Sequence, residues 1–121
     1  ITPHEGELIS ILPNLSGSLI DKALKAAKIL NTIVVLKGAT TIIASPNNKA
    51  LVNTAGAKWL ATAGSGDVLA GIIGGLLSNK MDTFYAAAYA VWLHSEAGKY
   101  LGPGLVAEDI PKILPKILKN V

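Results

Sequence analysis

Residues 61–71 have the sequence ATAGSGDVLAG, which joins a glycine-rich turn to the start of a long apolar segment. Gly64 and Gly66 allow a tight turn and let a ligand approach the backbone closely. The apolar run that begins at Val68 predicts a helix, so the turn lies at a helix N-terminus. Because free N–H groups and the helix dipole favour negative charge there, the stretch predicts an anion-binding site.

Asp67 places a carboxylate inside this predicted anion site, and two interpretations stay open. As a base, it would take a proton from a hydroxyl group that attacks a phosphate held by the N–H groups. Alternatively, it lies in the first helical turn because the helix dipole favours acidic side chains there. The short motif alone does not distinguish a catalytic Asp67 from a structural one.

A second polar segment follows a strand-like run. Residues 33–36, IVVL, are apolar and do not alternate, which is typical of a strand buried on both faces of a parallel sheet. Residues 37–41, KGATT, follow at its carboxyl end, where open α/β sheets bind ligands. Lys37 can pair with phosphate, Gly38 allows close approach, and the threonine hydroxyls can donate hydrogen bonds. The alternative is a plain turn with one exposed lysine.

The first seven residues, ITPHEGE, form a third polar segment. Pro3 disfavours helix at Thr2 and Gly6 permits a sharp turn, so the segment is predicted to be a loop. One histidine and two glutamates at this spacing fit no standard set of metal ligands. The residue types alone therefore favour a solvated polar loop.

Apolar periodicity and turn residues predict the remaining elements. They are a helix between Ser18 and Asn31, a hairpin joining residues 42–44 to 50–52, a helix from Val68, a helix from Phe84 to about Leu101 capped by Asp82 or Thr83, and a closing helix within residues 107–121. The helix from Val68 is apolar nearly all round, which predicts that it is buried.

Five other side chains have weaker functional signals. Tyr85, Tyr89 and Trp92 form a stripe at helical spacing that we interpret as an oligomer contact. Trp59 would stack on a base or, as we favour, anchor packing. His94 lies in the middle of a predicted helix, and we interpret it as a packed, hydrogen-bonded histidine outside the site.

Composition narrows the class of protein. Half of the 121 residues are apolar and 16% are charged, which predicts at most one domain with a large core for its size. The chain has no cysteine, so disulfides and thiolate metal sites are excluded. The apolar runs are too short to span a bilayer and no export signal is recognisable, which predicts a cytoplasmic protein without a membrane partner. The net charge of +3 comes from scattered lysines, so we expect no nucleic acid partner.

Three segments together resemble one family. Residues 60–71, LATAGSGDVLAG, are similar to the phosphate-binding motif of the ribokinase-like superfamily, and specifically to that of ADP- or ATP-dependent NAD(P)H-hydrate dehydratases. Residues 2–7 and 37–41 resemble two further segments of that family, although Glu5 stands where its members often carry proline. The resemblance implies an α/β fold of the ribokinase-like, three-layer type. Residues 1–121 would be the C-terminal part of that single domain, with few strands and a hairpin packed by helices.

The resemblance also implies an activity. Hydrated NADH or NADPH (NADHX or NADPHX) would be dehydrated back to NAD(P)H after ADP, or alternatively ATP, phosphorylates its hydroxyl group, with Mg²⁺ bridging the phosphates. Asp67 would be the catalytic base, and Asp67 and His4 would contact the substrate. The N–H groups of Ser65, Gly66 and Asp67 would stabilise the transferred phosphoryl group. The nucleotide-binding residues implied are Lys37, Gly38, Ala39, Thr40, Thr41, Ser65 and Gly66. Bacterial members typically use ADP, which favours ADP here.

One buried strand and a hairpin are too few for a parallel sheet covered by helices on both faces. We therefore expect that the family's N-terminal half is missing, and that the chain needs that half or a homo-oligomer as a partner. Two other functions stay open. One is a ribokinase-like small-molecule kinase, which should lack the pattern of residues 2–7, and the other is a truncated, non-catalytic remnant that binds nucleotide.

Overall fold

The structure, a computed structural model, describes all residues from 1 to 121 and contains five α-helices, three strands and one 3₁₀ turn. The elements are α1 (Glu5–Ile11), α2 (Leu19–Leu30), β1 (Val34–Leu36), β2 (Thr41–Ala44), β3 (Ala50–Asn53), the 3₁₀ turn (Lys58–Leu60), α3 (Ser65–Ser78), α4 (Thr83–Leu101) and α5 (Asp109–Lys119). None of these helices combines the length and the apolar character needed to cross a membrane.

The strands form one antiparallel sheet in the order β1–β2–β3. The predicted hairpin is confirmed, since Ile42 pairs with Val52 and Ala44 with Ala50. β1 is buried along its whole length, as its apolar composition predicts. The composition of β1 is typical of a strand in a parallel sheet, but the strand paired with it in this chain, β2, is antiparallel.

The first residues of the chain run along the other side of β1 in the parallel direction. The N–H of Val35 donates to the carbonyl oxygen of Ile1 and that of Lys37 to Pro3, both at 2.8 Å. His4 and Lys37 form an isolated parallel bridge. Two polar segments that are far apart in the sequence therefore leave the sheet side by side.

Helices cover both faces of this sheet, which gives three layers. Val34, Leu36, Ile42 and Ala44 pack on one face against α2. Val35 and Ile43 lie on the other face with Leu69 of α3 and several residues of α4. This division follows from the alternation of side chains along each strand. Burying each valine or isoleucine contributes roughly 1.5–3 kcal/mol.

Helix α3 differs from its prediction. Only Ser65 and Leu69 are buried in it, although the apolar composition predicts burial all round. Its inner side packs towards α4 and the sheet, but a Cβ added at Gly71, Gly74 or Gly75 would meet nothing within 4 Å. The outer side is open because no other element of this chain reaches it.

Helix α4 runs through the centre of the molecule and positions one wall of the site. Of the two predicted caps it is Asp82 that accepts the N–H of Tyr85, at 3.2 Å, and the helix ends at Leu101, just before Gly102. A Cβ on Gly98 would lie 2.7 Å from Leu60 Cγ. Because glycine stands there, the 3₁₀ turn packs directly onto α4.

Candidate functional site

A cavity of about 750 Å³ lies between the carboxyl end of β1 and the N-terminus of α3. Its size is within the range of about 300–1,000 Å³ that is usual for small-molecule sites. Seven of the residues predicted to form a site line it, namely His4, Lys37, Gly38, Ala39, Thr41, Ser65 and Gly66. The fold therefore brings the three polar segments of the sequence to one place.

Two predicted site residues, Thr40 and Asp67, are not in the lining of this cavity. Asp67 directly follows Gly66, which is in the lining, and its side chain is exposed. Its carboxylate makes no hydrogen bond and no ion pair within the chain. It is therefore not packed away, and a ligand at the start of α3 can reach it.

The start of α3 presents two unused N–H donors. Gly64 adopts a left-handed conformation, with φ at 86°, immediately before the helix. The N–H of Ser65 donates to the carbonyl oxygen of Thr62 at 3.2 Å, whereas those of Gly66 and Asp67 have no partner. The preceding turn therefore already uses the N–H of Ser65, which is one of the three N–H groups expected to contact the phosphoryl group. The two free groups and the helix dipole favour an anion.

Lys37 adds a positive charge at the same helix end. A Cβ built on Gly66 would lie 2.9 Å from Lys37 Nζ, so the ammonium group sits directly against the glycine. Lys37 makes no ion pair within the chain. The charge of Lys37 and the free N–H groups together suit a phosphate group. Residues 37–41 and residues 61–71 each predicted a phosphate contact separately.

His4 is the N-terminal cap of helix α1. The prediction of a loop for residues 1–7 is therefore wrong from Glu5 onwards. His4 Nδ1 accepts the N–H of Glu7 at 3.1 Å, and the Glu7 carboxylate accepts the N–H of His4 at 3.1 Å. Hydrogen bonding to the backbone of His4 is the main cause that lowers the pKa of Glu7. A glutamate three residues after a capping residue was the available signal, but histidine stands where serine or threonine is usual.

The hydrogen bonds of His4 also indicate the tautomer of its neutral ring. A backbone N–H can only donate, so Nδ1 is unprotonated and the proton is on Nε2, which lies 3.0 Å from Glu7 Oε1. The side chain is 61% exposed at the edge of the cavity. His4 is therefore oriented by α1 and still accessible to a ligand.

His94 lines the cavity, although the sequence interpretation left it out of the site. It is packed and hydrogen-bonded as expected, with 8% of its surface exposed. Its Nε2 lies 3.0 Å from both the hydroxyl oxygen and the carbonyl oxygen of Ser65. No local pattern marks this contact, because 29 positions separate the two residues.

Burial lowers the pKa of His94 below its ordinary value of 6.5, and the charge of Lys37 lowers it further, while the hydrogen bond to Ser65 opposes both. Between the two pKa values the unfolded chain binds a proton that the folded chain does not, so stability falls as the pH drops below about 6.5. We expect the urea concentration at which half of the protein is unfolded to be lower at about pH 5.5 than at about pH 7.5.

A His94→Gln variant is the control for this titration, because glutamine does not ionise in that range. Its urea midpoint should change less with pH over the same interval. An equal pH dependence in the variant and the parent protein would show that another group is responsible.

Two residues near the cavity have structural roles. Asn53 Nδ2 donates to Ser95 Oγ at 2.7 Å, which ties β3 to α4. Trp59 packs beside the buried cluster of Ala97, Leu105 and Ile110. Of the two interpretations of Trp59, packing is the one that the structure supports.

The aromatic stripe of α4 lies largely on the surface. Tyr85 is 55% and Trp92 36% exposed, and Tyr89 stacks on Trp92. The role of this stripe in an oligomer contact stays a prediction.

The three layers and the phosphate-suited cavity define an α/β protein of the ribokinase-like class. Among solved structures, a ribokinase-like superfamily protein from Enterococcus faecalis is 34% identical, with a TM-score of 0.85 over 98% of this chain and 43% of that one. ADP/ATP-dependent NAD(P)H-hydrate dehydratase from Bacillus subtilis, co-crystallised with ATP/Mg²⁺ and soaked with CoA, is 33% identical. Its TM-score is 0.89 over 98% of this chain and 47% of that one.

The chain belongs to the NAD(P)H-hydrate dehydratase family, whose family model matches residues 1–118. The ADP-dependent (S)-NAD(P)H-hydrate dehydratase of Xanthomonas campestris is 35% identical over 130 aligned residues, which cover all of this chain and 45% of that protein. The family resemblance of the three segments is therefore confirmed. The chain spans less than half the length of each of these relatives.

Proposed function

We propose that the protein uses ADP, or alternatively ATP, to dehydrate NADHX and NADPHX back to NADH and NADPH. The observation that carries this proposal is the ammonium group of Lys37 against Gly66, beside the two free N–H groups at the start of α3. This arrangement suits a nucleotide phosphate. The names of the Xanthomonas and Bacillus relatives support hydrated NAD(P)H as the substrate.

In this proposal the nucleotide phosphorylates the hydroxyl group of the hydrated substrate, and the phosphate then leaves to give NADH or NADPH. Each part of the cavity has a role in the phosphoryl transfer. Residues 37–41 hold the nucleotide, and Lys37 with the N–H groups of Gly66 and Asp67 stabilises the charge of the transferred phosphoryl group. Asp67 takes the proton from the substrate hydroxyl group, since its exposed carboxylate has no partner in the chain. His4 contacts the nicotinamide nucleotide from the edge of the cavity.

A magnesium ion fits this site through the nucleotide. The chain has no cluster of three histidine, cysteine, aspartate or glutamate side chains that could hold a metal ion. Magnesium ions at nucleotide sites commonly bind phosphate oxygens and water, with few protein ligands. We therefore propose that the phosphates hold the ion, which would supply charge neutralisation.

We also propose that residues 1–121 are the C-terminal part of one larger domain. The open outer side of α3, with three glycines that face nothing within 4 Å, supports this organisation. The relatives, which are more than twice as long as the stretch they share with this chain, support it too. The missing part, or a second copy of the chain, would complete the substrate site. We further propose that the protein is cytoplasmic and binds neither nucleic acid nor membranes.

The test of the proposed function is an assay of NADHX with ADP, followed by the absorbance of the NADH that forms. We expect NADH only when a nucleotide is present, with ATP as the comparison donor. A panel of sugars and vitamins with ATP tests the small-molecule kinase as the alternative. Thermal stabilisation by ADP without turnover, even after the N-terminal part of a relative is added, would contradict the enzyme and favour a binding remnant.

A further inference from the structure

The peptide group between Ser65 and Gly66 has an unusual place in the cavity. Its N–H, which belongs to Gly66, is one of the two free donors. Its carbonyl oxygen, which belongs to Ser65, lies 3.0 Å from His94 Nε2. Because a peptide group is planar and trans, the N–H points opposite to the carbonyl, so a contact that orients one atom also orients the other.

The backbone around this peptide group is permissive. Gly64 lies before it in a left-handed conformation and Gly66 forms its second half, and glycine adopts many backbone conformations. The first turn of a helix also frays more readily than its middle. A contact from outside α3 adds to the helix's own hydrogen bonds in keeping the Gly66 N–H in one direction.

His94 supplies that contact from a rigid position. It lies in the buried part of α4 and is 8% exposed. A carbonyl oxygen can only accept, so the proton is on Nε2 and is donated to Ser65. A donor on the carbonyl also polarises the peptide group and makes its N–H a better donor.

We propose that His94 is a positioning residue that holds the peptide group between Ser65 and Gly66, so that the Gly66 N–H faces the nucleotide phosphate. This inference rests on the proposed function for the identity of the anion. It adds a residue of α4 to a site that the sequence placed in three other segments. His94 need not touch the nucleotide to act in this way.

Three variants of the protein test this role. His94→Leu removes the donor, and His94→Gln keeps an N–H donor at similar reach. Leu93→Val alters the buried neighbour on the same helix, which is 2% exposed and does not line the cavity. The Leu93→Val variant shows how a change in the buried packing of α4, without loss of the His94 donor, affects the site.

The first measurement is ADP affinity by calorimetry. His94→Leu should weaken binding about tenfold, the effect of losing about 1.4 kcal/mol of hydrogen bonding. His94→Gln should stay within about threefold of the parent protein, as should Leu93→Val. The proposal fails if His94→Leu binds ADP as tightly as the parent protein, or if Leu93→Val weakens binding equally.

The second measurement needs no nucleotide and separates the two proposals. Amide NMR signals of Gly66 and Asp67 should broaden in His94→Leu, because the peptide group then exchanges between orientations, but not in the other two variants. Unchanged signals in His94→Leu would overturn the positioning role even if the enzyme turns over NADHX. Broadened signals in His94→Leu, in a protein that binds no ADP, would support the positioning role and contradict the proposed function instead.

Discussion

In an enzyme whose substrate site is complete, replacing Asp67 with asparagine is expected to abolish turnover of NADHX while leaving ADP binding nearly intact. Asparagine keeps the size of the side chain and the backbone N–H, but it cannot take a proton from the substrate hydroxyl group. A general base typically contributes about 10²- to 10⁴-fold to the rate, so we expect a loss of that order in kcat. Because Asp67 does not line the cavity, the nucleotide should still bind.

The matched control for this prediction is Asp109→Asn. Asp109 also lies in the first turn of a helix, in α5, and it is not among the residues that line the cavity. It tests whether removing an acidic group from a helix N-terminus lowers activity in general. A rate for Asp67→Asn that equals the parent rate would remove Asp67 from the mechanism, whereas a matching loss in Asp109→Asn would point to a stability effect.

Replacing Gly66 with alanine should weaken ADP binding strongly with little change in folding stability. The added Cβ would lie 2.9 Å from Lys37 Nζ, which is the end of a flexible side chain and can move away. Moving it withdraws a charge from the phosphate, and the methyl group blocks the approach to the backbone. Losing one hydrogen bond to a charged group amounts to about 1.5–3 kcal/mol, which corresponds to about 10- to 150-fold in Kd.

Gly71→Ala is the control for the glycine substitution. It lies in the same helix, and its Cβ would meet nothing within 4 Å. Alanine in an exposed helix interior should stabilise the free protein by about 0.5–1 kcal/mol and leave ADP affinity unchanged. If Gly66→Ala binds ADP as well as Gly71→Ala does, Lys37 and Gly66 do not hold the phosphate.

The elements that local chemistry specifies agree best with prediction. Ser18 caps α2 by accepting the N–H of Asp21 at 3.1 Å, and Asn31 ends this helix in a left-handed conformation. The hairpin of β2 and β3 follows from β-branched residues around a Ser-Pro-Asn-Asn turn. Each signal lies within a few residues of the element it defines. The start of α1 was missed because histidine is an uncommon helix cap.

Residue patterns alone were sufficient for the family, for the helix that follows the glycine-rich turn, and for seven of the 17 residues that line the cavity. Contacts between distant segments decided the rest. The ammonium group of Lys37 against Gly66, the hydrogen bond from His94 to Ser65 and the open side of α3 all follow from how strands pair and helices pack. One sequence pattern is compatible with several such arrangements, and only the packed chain selects among them.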